Sequence, residues 1–343
     1  MSMNIVRLVH PKQAFRLKIV LPGSVTMYLP LVASSPPFTA NYNFTVDWGD
    51  SSSIDTVTTY NGGSHTYAAG GTYYITMAGT CNAFNCAGGY KHAAMQAYLT
   101  SIEDIVDLGF TNEANGGTNF TGCTNLTHVA KSFNRLKHLV GYYNMFKDCT
   151  SLATIPEGMF DGSIVSGSEN DFLGVFSGCT SLASIPANLF DLQTTAVEFT
   201  AMFSGCTALT TVPTDIFRYC TSAQVMDIMF YGCSSLTTVP TNLFKYNTAC
   251  TDFNTTFMNC TKLQQNANIF YANGEQSTRF LNKTVDFTQC FYISTFSGSQ
   301  GTAPDLWNCS FGTGTPTKAF CWGGAGNSAT NLSNYASIPA AWK

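Results

Sequence analysis

The sequence predicts a mainly β protein with short helical turns, in which an N-terminal β-sandwich precedes a solenoid of stacked repeats. Close copies of one fifteen-residue pattern begin at residues 146, 176, 203 and 230. Short alternating segments separated by turns fill the region before the copies, as expected for a small sandwich. Charged residues make up only 10% of the chain, so its solubility must come from Ser, Thr, Asn and Gly.

A cysteine anchors each copy at the same place. Neighbouring anchors are 26 to 30 residues apart, and the last three steps are 27 residues each. A fixed period of about 20 to 50 residues is typical of solenoids and other repeat architectures. A further, degraded copy is predicted at Cys290, so the pattern covers roughly residues 96–343. The regular anchors are Cys123, Cys149, Cys179, Cys206, Cys233 and Cys260.

Apolar residues keep fixed positions relative to each anchor. A Phe three before the cysteine and a large residue seven before it favour one face of a short helical turn. Leu at +3, Ile or Val at +6 and Pro at +7 favour a short strand that the proline ends. A Phe at +11 precedes a loop. One unit is therefore a helical turn, a bend, a short strand and a loop.

One such unit is too small to fold alone, so the copies must stack. Each residue type then packs on its own image in the next unit and forms a ladder. The predicted structural ladder consists of Cys149, Cys179, Cys206, Cys233, Cys260, Phe146, Phe176, Phe203, Phe230 and Phe257.

The thirteen cysteines are predicted to be reduced and structural. Their number is odd, which excludes complete intramolecular pairing, and free cysteine is a small residue that is commonly buried. Zinc binding and thiol catalysis are the alternatives. Both are disfavoured because the array has no His after His138 and no CxxC pair.

The repeat resembles the BspA-type leucine-rich repeat family, whose pattern is matched by "MFSGCTALTTVP" at 202–213 and its siblings. The chain departs from that family in longer loops after the proline and in frayed last units. The resemblance implies a surface-exposed adhesion or recognition scaffold rather than an enzyme.

The N-terminal region carries two motifs of another kind. "FTVDWGDSS" at 44–52 places Phe44, Val46 and Trp48 on one face, and "HTYAAGGTYYITMAG" at 65–79 gives a turn followed by a strand. Together they resemble the PKD domain, an immunoglobulin-like module. Asp47 and Asp50 are interpreted as turn formers rather than calcium ligands, because the EF-hand spacing is missing.

These patterns divide the chain into four parts. We predict an N-terminal arm at 1–12, a PKD-like β-sandwich at 13–88, a cap or first coil at 89–120, and a BspA-like leucine-rich repeat solenoid with frayed C-terminal coils at 121–343. The segment "SIEDIVDLGF" at 101–110 fits a helix or a strand, and the sequence does not decide between them.

Several functional classes are disfavoured. The net charge is −4 without a basic patch, which argues against nucleic-acid binding. No apolar run is long enough for membrane insertion, and the N-terminus lacks the apolar core of a secretory leader. Hydrolase, P-loop and dinucleotide motifs are missing. We therefore predict no enzyme and assign no catalytic, cofactor-binding or metal-binding residue, and no cofactor.

The combination resembles virion proteins of tailed bacteriophages that infect gut bacteria. It implies a non-enzymatic structural or accessory virion protein, assembled in the host cytoplasm, in the head, collar or tail. The expected partners are other virion proteins, further copies of this chain, and a host-surface glycan or protein. The alternative is an adhesin at the bacterial cell surface. Binding residues are not assigned individually, but binding is expected in the loops 161–171, 191–198, 218–225 and 245–252.

Overall fold

The structure is a computed structural model that describes residues 14–34, 39–87, 92–111, 119–137, 139, 141–162, 164–165, 167, 171–272, 274–294, 299–323 and 331–343. The predicted arm at 1–12 and residues 89–91 of the predicted cap lie outside these ranges. The described part is mainly β with short 3-10 turns. This confirms the coarse fold class.

Two sheets occupy the N-terminal part. Their strands are β1 Phe15–Leu21, β2 Val25–Tyr28, β3 Tyr42–Asp47, β4 Asp55–Val57, β5 Ser64–Tyr67, β6 Gly71–Cys81, β7 Leu99–Asp104 and β8 His128–Val129. The larger sheet has the order β4-β3-β6-β1-β7-β8, and β2 pairs with β5. All pairs are antiparallel except β7 with β8.

One short α-helix, α1 Ala93–Tyr98, lies before β7. The segment left open by the sequence is therefore a strand as far as Asp104. Four 3-10 helices are described, at Lys131–Arg135, Leu306–Asn308, Tyr335–Ser337 and Ala340–Trp342.

Alternation along the strands builds the N-terminal core. Phe44, Val46 and Trp48 are all buried, as their period of two predicts. Trp48 donates its indole N–H to Asp55 Oδ2 at 2.7 Å, and Tyr67 donates its hydroxyl to the Trp48 carbonyl at 2.8 Å. The buried polar ends of these rings are thus paired.

The larger sheet continues past residue 88. Strand β1 pairs with β6 on one side and with β7 on the other, and β7 pairs in parallel with β8, which lies in the first repeat. Buried residues from both parts form one continuous cluster. The predicted boundary after residue 88 therefore crosses a continuous sheet and core.

From residue 120 onward the copies stack, and we call each stacked copy a coil. The five ladder Phe rings lie nearly parallel, with centroids 5.5 to 5.7 Å apart and interplanar angles of 6 to 8°. A second column, at +11, stacks Phe190 on Phe217 at 5.6 Å and Phe217 on Phe244 at 6.0 Å. The same residue type thus packs on its image from one coil to the next.

The segment before each cysteine is a series of tight turns, not the short helix that its spacing favours. In the coil of Cys206, Ala201 and Gly205 have positive φ values of 54° and 72°. The left-handed residues interrupt the helix and direct alternate N–H groups to the next coil, as in Phe203 N–H to Met229 O at 2.9 Å. Glycine before the cysteine suits this conformation.

After each cysteine, the predicted short strand is reduced to single parallel bridges. Thr211 pairs with Thr238, and Thr238 pairs with Gln264. Pro213 and Pro240 follow within two residues and have no N–H to donate, so the pairing ends there.

The last coils follow a different register from the predicted one. Phe287 stacks on Phe253 at 5.8 Å and Phe291 stacks on Phe257 at 5.3 Å. Phe291, not Phe287, therefore occupies the ladder position, and the interpretation of Cys290 as the next anchor is wrong. The stack continues to Trp322, whose ring lies 6.2 Å from Phe291 at an interplanar angle of 1°.

Candidate functional site

The predicted ladder cysteines lie in one buried column inside the stack. Cys149, Cys179, Cys206, Cys233 and Cys260 have no exposed surface, and all thirteen cysteines of the chain are free. The structure thus brings the ladder residues together as neighbours in successive coils, in the interior and away from any surface.

Each thiol of this column donates a hydrogen bond to the preceding coil. Cys206 Sγ lies 3.2 Å from the carbonyl oxygen of Phe176, and Cys233 Sγ lies 3.1 Å from that of Phe203. The Phe203 carbonyl also accepts the Cys206 N–H at 3.2 Å, so both of its lone pairs are used. This donor role was not predicted, because a buried free cysteine was expected to be apolar; the constant Phe-to-Cys spacing is the signal that could have indicated it.

Burial keeps these thiols protonated. It raises the pKa of Cys179 and of Cys233 to about 12, because desolvation penalises the thiolate. The thiolate is the nucleophilic and metal-binding form, so the column does not present it at neutral pH. Among the described residues, no group of three His, Cys, Asp or Glu side chains is placed to hold a metal ion.

The loops after each +11 Phe alternate between solvent-facing and buried residues, with Asp191, Leu192, Thr194 and Thr195 exposed around the buried Gln193. Leu192 and Tyr219 are each 47% exposed, and Tyr246 is half-buried. The expectation that the loops carry few buried contacts is wrong at the third residue after the +11 Phe, because Gln193 and Asn247 are buried there. Part of the loop 161–171, namely 163, 166 and 168–170, lies outside the described residues.

The buried part of these loops satisfies backbone carbonyls of the neighbouring coils. Asn247 Nδ2 donates to the carbonyls of Phe217 and Cys220 at 2.9 and 2.8 Å. Arg279 donates to the carbonyls of Phe270, Phe244 and Asn247 at 3.0 to 3.3 Å. Burial lowers the Arg279 pKa to about 10. These interior groups hold the loop in place from the inside of the stack.

We define the loop strip as the first two residues after the +11 Phe in three successive coils, which are exposed after Phe190 and Phe217 and half-buried after Phe244. Arg218 Cζ lies 5.4 Å from the ring centroid of Tyr246, which joins one coil to the next. Arg218 Nη1 lies 3.7 Å from Asp215 Oδ2, and Lys245 Nζ lies 3.7 Å from Glu275 Oε1. The strip is therefore aromatic, and its cations are paired with acids. Its members are Asp191, Leu192, Arg218, Tyr219, Lys245 and Tyr246.

A column of carboxylates lies on another side of the stack. Backbone bridges place Asp252 beside Val225 and Asp286 beside Asp252 in successive coils. Burial, together with the charges of Asp252 and Asp286, raises the pKa of Asp227. Burial also opposes ionisation of Asp286, but hydrogen bonds from Thr288 and other neighbours outweigh it and lower the pKa of Asp286.

Asp227→Asn should stabilise the protein at pH 7. The folded state holds the Asp227 proton more tightly than the unfolded state, so the wild-type protein loses stability as the pH rises through the raised folded pKa. That stability is fully present below the ordinary value of 3.8. The Asn variant has no carboxyl group to ionise and does not lose this stability. We therefore expect its urea midpoint to be higher than that of wild type at pH 7 and equal to it below pH 3.8.

The exposed Asp191→Asn is the control for the loss of one charge, and its urea midpoint should stay close to that of wild type at both pH values. The account is contradicted if Asp227→Asn is stabilised relative to wild type by the same amount at both pH values, or if it is less stable than wild type at pH 7.

In the N-terminal part the two aspartates of "DWGDSS" at 47–52 act in turns, as predicted. Asp47 Oδ1 accepts the Gly49 N–H at 2.9 Å, and Asp50 Oδ1 accepts the Ser52 N–H at 3.1 Å. Asp50 Oδ2 lies 2.7 Å from His65 Nε2. Burial opposes ionisation, but the hydrogen bonds from Ser52 and His65 outweigh it and lower the Asp50 pKa to about 2.

No helix in the described residues is long and apolar enough to cross a membrane. The chain matches no protein-family model, no curated protein and no solved structure. The resemblance of the repeat to the BspA type and that of the N-terminal strands to the PKD domain are therefore proposals.

Proposed function

We propose that this chain is a non-enzymatic virion protein of a bacteriophage that displays a repeat solenoid for recognition. In this proposal the stack is a leucine-rich-repeat solenoid of the BspA type, and the N-terminal strands form a PKD-like, immunoglobulin-like module. The parallel ladders of Phe and Cys support the first assignment. The burial of Trp48 between strands that carry the WGD turn and the H-x-Y segment supports the second.

The thiol column carries the proposal about where the protein is made. Its hydrogen bonds require reduced cysteines at every coil, from Cys149 to Cys260. Thiols persist in the cytosol, whereas exported proteins fold where disulfides form. A virion protein meets both demands, because it folds in the host cytoplasm and reaches the exterior by assembly and lysis. The partners are then virion subunits and a host-surface molecule.

The loop strip supports the recognition role. Binding residues collect on loops that a rigid scaffold positions, and the buried Gln193 and Asn247 fix these loops from below. The same strip would suit an adhesin at the bacterial cell surface, which is the second candidate because the repeat resembles BspA-type surface proteins. The site of assembly separates the two candidates.

The test has two parts. Mass spectrometry of purified phage particles should find this chain at a constant ratio to the capsid proteins, and the cell-surface fraction of uninfected bacteria should lack it. The reverse distribution would support the adhesin. In the second part, each two-residue pair of the loop strip is replaced by Gly-Ser. The buried Gln193 and Asn247 stay unchanged.

We expect the replaced protein to fold and enter particles, and the particles to adsorb poorly to host cells. A replacement of the exposed pair Thr194–Thr195 by Gly-Ser is the matched control within the same loop. If adsorption and incorporation both survive the strip replacement unchanged, the strip is not the functional face.

A further inference from the structure

The loop strip repeats at the spacing of the coils. Its three apolar residues, the exposed Leu192 and Tyr219 and the half-buried Tyr246, each follow a stacked +11 Phe by two residues. Those Phe rings are 5.6 and 6.0 Å apart, a distance comparable with the length of one pyranose unit in an extended glycan. The strip therefore offers one apolar contact per coil along the stack axis.

The charges around the tyrosines are balanced. Arg218 lies 5.8 Å from the Tyr219 ring and 5.4 Å from the Tyr246 ring, and its guanidinium is 3.7 Å from Asp215. Lys245 lies 5.5 Å from the Tyr246 ring and 3.7 Å from Glu275. Exposed ion pairs contribute little to stability, so their donors and acceptors can exchange with the hydroxyl groups of a ligand at low cost.

We propose that the loop strip binds an extended, uncharged glycan that runs along the stack, with sugar rings placed on Tyr219 and Tyr246. This proposal rests on the recognition role proposed above. The apolar C–H faces of pyranose rings pack on tyrosine rings, which combine apolar area with a polar tip. The paired acids and bases hydrogen-bond the equatorial hydroxyls.

A polyanion fits the strip less well. Asp191, Asp215 and Glu275 would repel phosphate or sulfate groups, and each strip cation already has an acidic partner. Nucleic-acid binding needs clustered basic residues and falls steeply with salt. An acidic polysaccharide or a single-stranded nucleic acid is therefore an outcome of the test and not part of the proposal.

The first experiment measures binding of the full chain to linear neutral oligosaccharides of one to six units, with heparin and a single-stranded oligonucleotide on the same array. We expect affinity for at least one neutral series to rise with length up to about three units, one per coil, and to change little with salt. Tyr219→Ala with Tyr246→Ala should weaken it by about tenfold or more, as removal of an interface aromatic commonly does.

Tyr143→Ala with Tyr231→Ala is the matched control, since these tyrosines are 49% and 38% exposed and lie outside the strip. Their removal should leave binding unchanged. The proposal is overturned if no neutral series binds, if both double variants bind like wild type, or if the strongest binding is to heparin or the oligonucleotide and falls with salt.

A second experiment separates this proposal from the recognition role. Particles carrying wild-type or Tyr219→Ala, Tyr246→Ala protein are adsorbed to host cells with and without periodate oxidation of surface sugars. Adsorption that needs the tyrosines and is lost after oxidation supports the glycan. Adsorption that needs the tyrosines but survives oxidation overturns the glycan proposal and agrees with the recognition role. Adsorption that does not need the tyrosines counts against both.

Discussion

Phe203→Ala should destabilise the middle of the stack by roughly 3–5 kcal/mol, because it removes a buried aromatic ring and leaves a cavity. The ring stacks on Phe176 and Phe230 with both centroids 5.7 Å away. Coils contact mainly their neighbours, so the loss should be local. Hydrogen exchange should become faster in residues 199–217, whereas the N-terminal sheet should keep its protection.

Tyr231→Ala is the control for this variant. It removes an aromatic ring from the next coil, but Tyr231 is 38% exposed and its loss opens no buried cavity. It should change exchange only slightly. Unaltered protection at 199–217 in Phe203→Ala would mean that the Phe ladder does not hold the coils together.

The ladder positions could be predicted because the sequence repeats them. A position that is Phe in five copies must face the same environment five times, and only a stack of equivalent coils provides that. The burial of Phe203 and Cys206 follows from this argument alone. The alternation of Phe44, Val46 and Trp48 is predictable for a similar reason, since a strand buries every second residue.

The backbone of the turns could not be predicted from apolar spacing. Intervals of three and four suit a helix, but Ala201 and Gly205 adopt left-handed φ values that end it. The inter-coil N–H bonds that stabilise this conformation exist only once the coils are stacked. Glycine before the anchor indicated it in four copies, whereas Asp148 and Asn259 adopt the same conformation in the other two.

The register of the last coils was missed because the cysteine served as the marker. Cys290 lies 30 residues after Cys260, which suits the period. The structure instead aligns the aromatic rings, and Phe291 rather than Phe287 stacks on Phe257. Ring stacking decides the register because a misplaced ring leaves a cavity in two coils.

Only the position of the loop strip could be predicted from the sequence. Variable loop content located the strip, but the buried Gln193 and Asn247 had no counterpart in the pattern. Asn247 occupies an interior position because the carbonyls of Phe217 and Cys220 need donors there. A polar residue in a variable loop does not by itself show which way it faces.

Trp342→Ala should release the C-terminal end of the stack, with a local loss of roughly 3–5 kcal/mol. Trp342 is 5% exposed and its ring lies 5.7 Å from Trp322 and 6.2 Å from Phe287. Lys318 Nζ lies over the same ring, 4.9 Å from its centroid. The indole therefore covers the aromatic column of the last coils, which would otherwise end at an open face.

The expected result is faster hydrogen exchange and earlier proteolysis in residues 287–322, with unchanged protection in residues 176–230. Lys343→Ala is the matched control, because it removes only the exposed contact of Lys343 with the Tyr335 ring at 4.1 Å. If Trp342→Ala leaves residues 287–322 as protected as in wild type, the last coils are held by their own ladders. The terminal segment would then be an appendage, and shortening the chain before residue 340 should cost nothing. If residues 287–322 lose protection, the packing of Trp342 on Trp322 and Phe287 is what stabilises these coils.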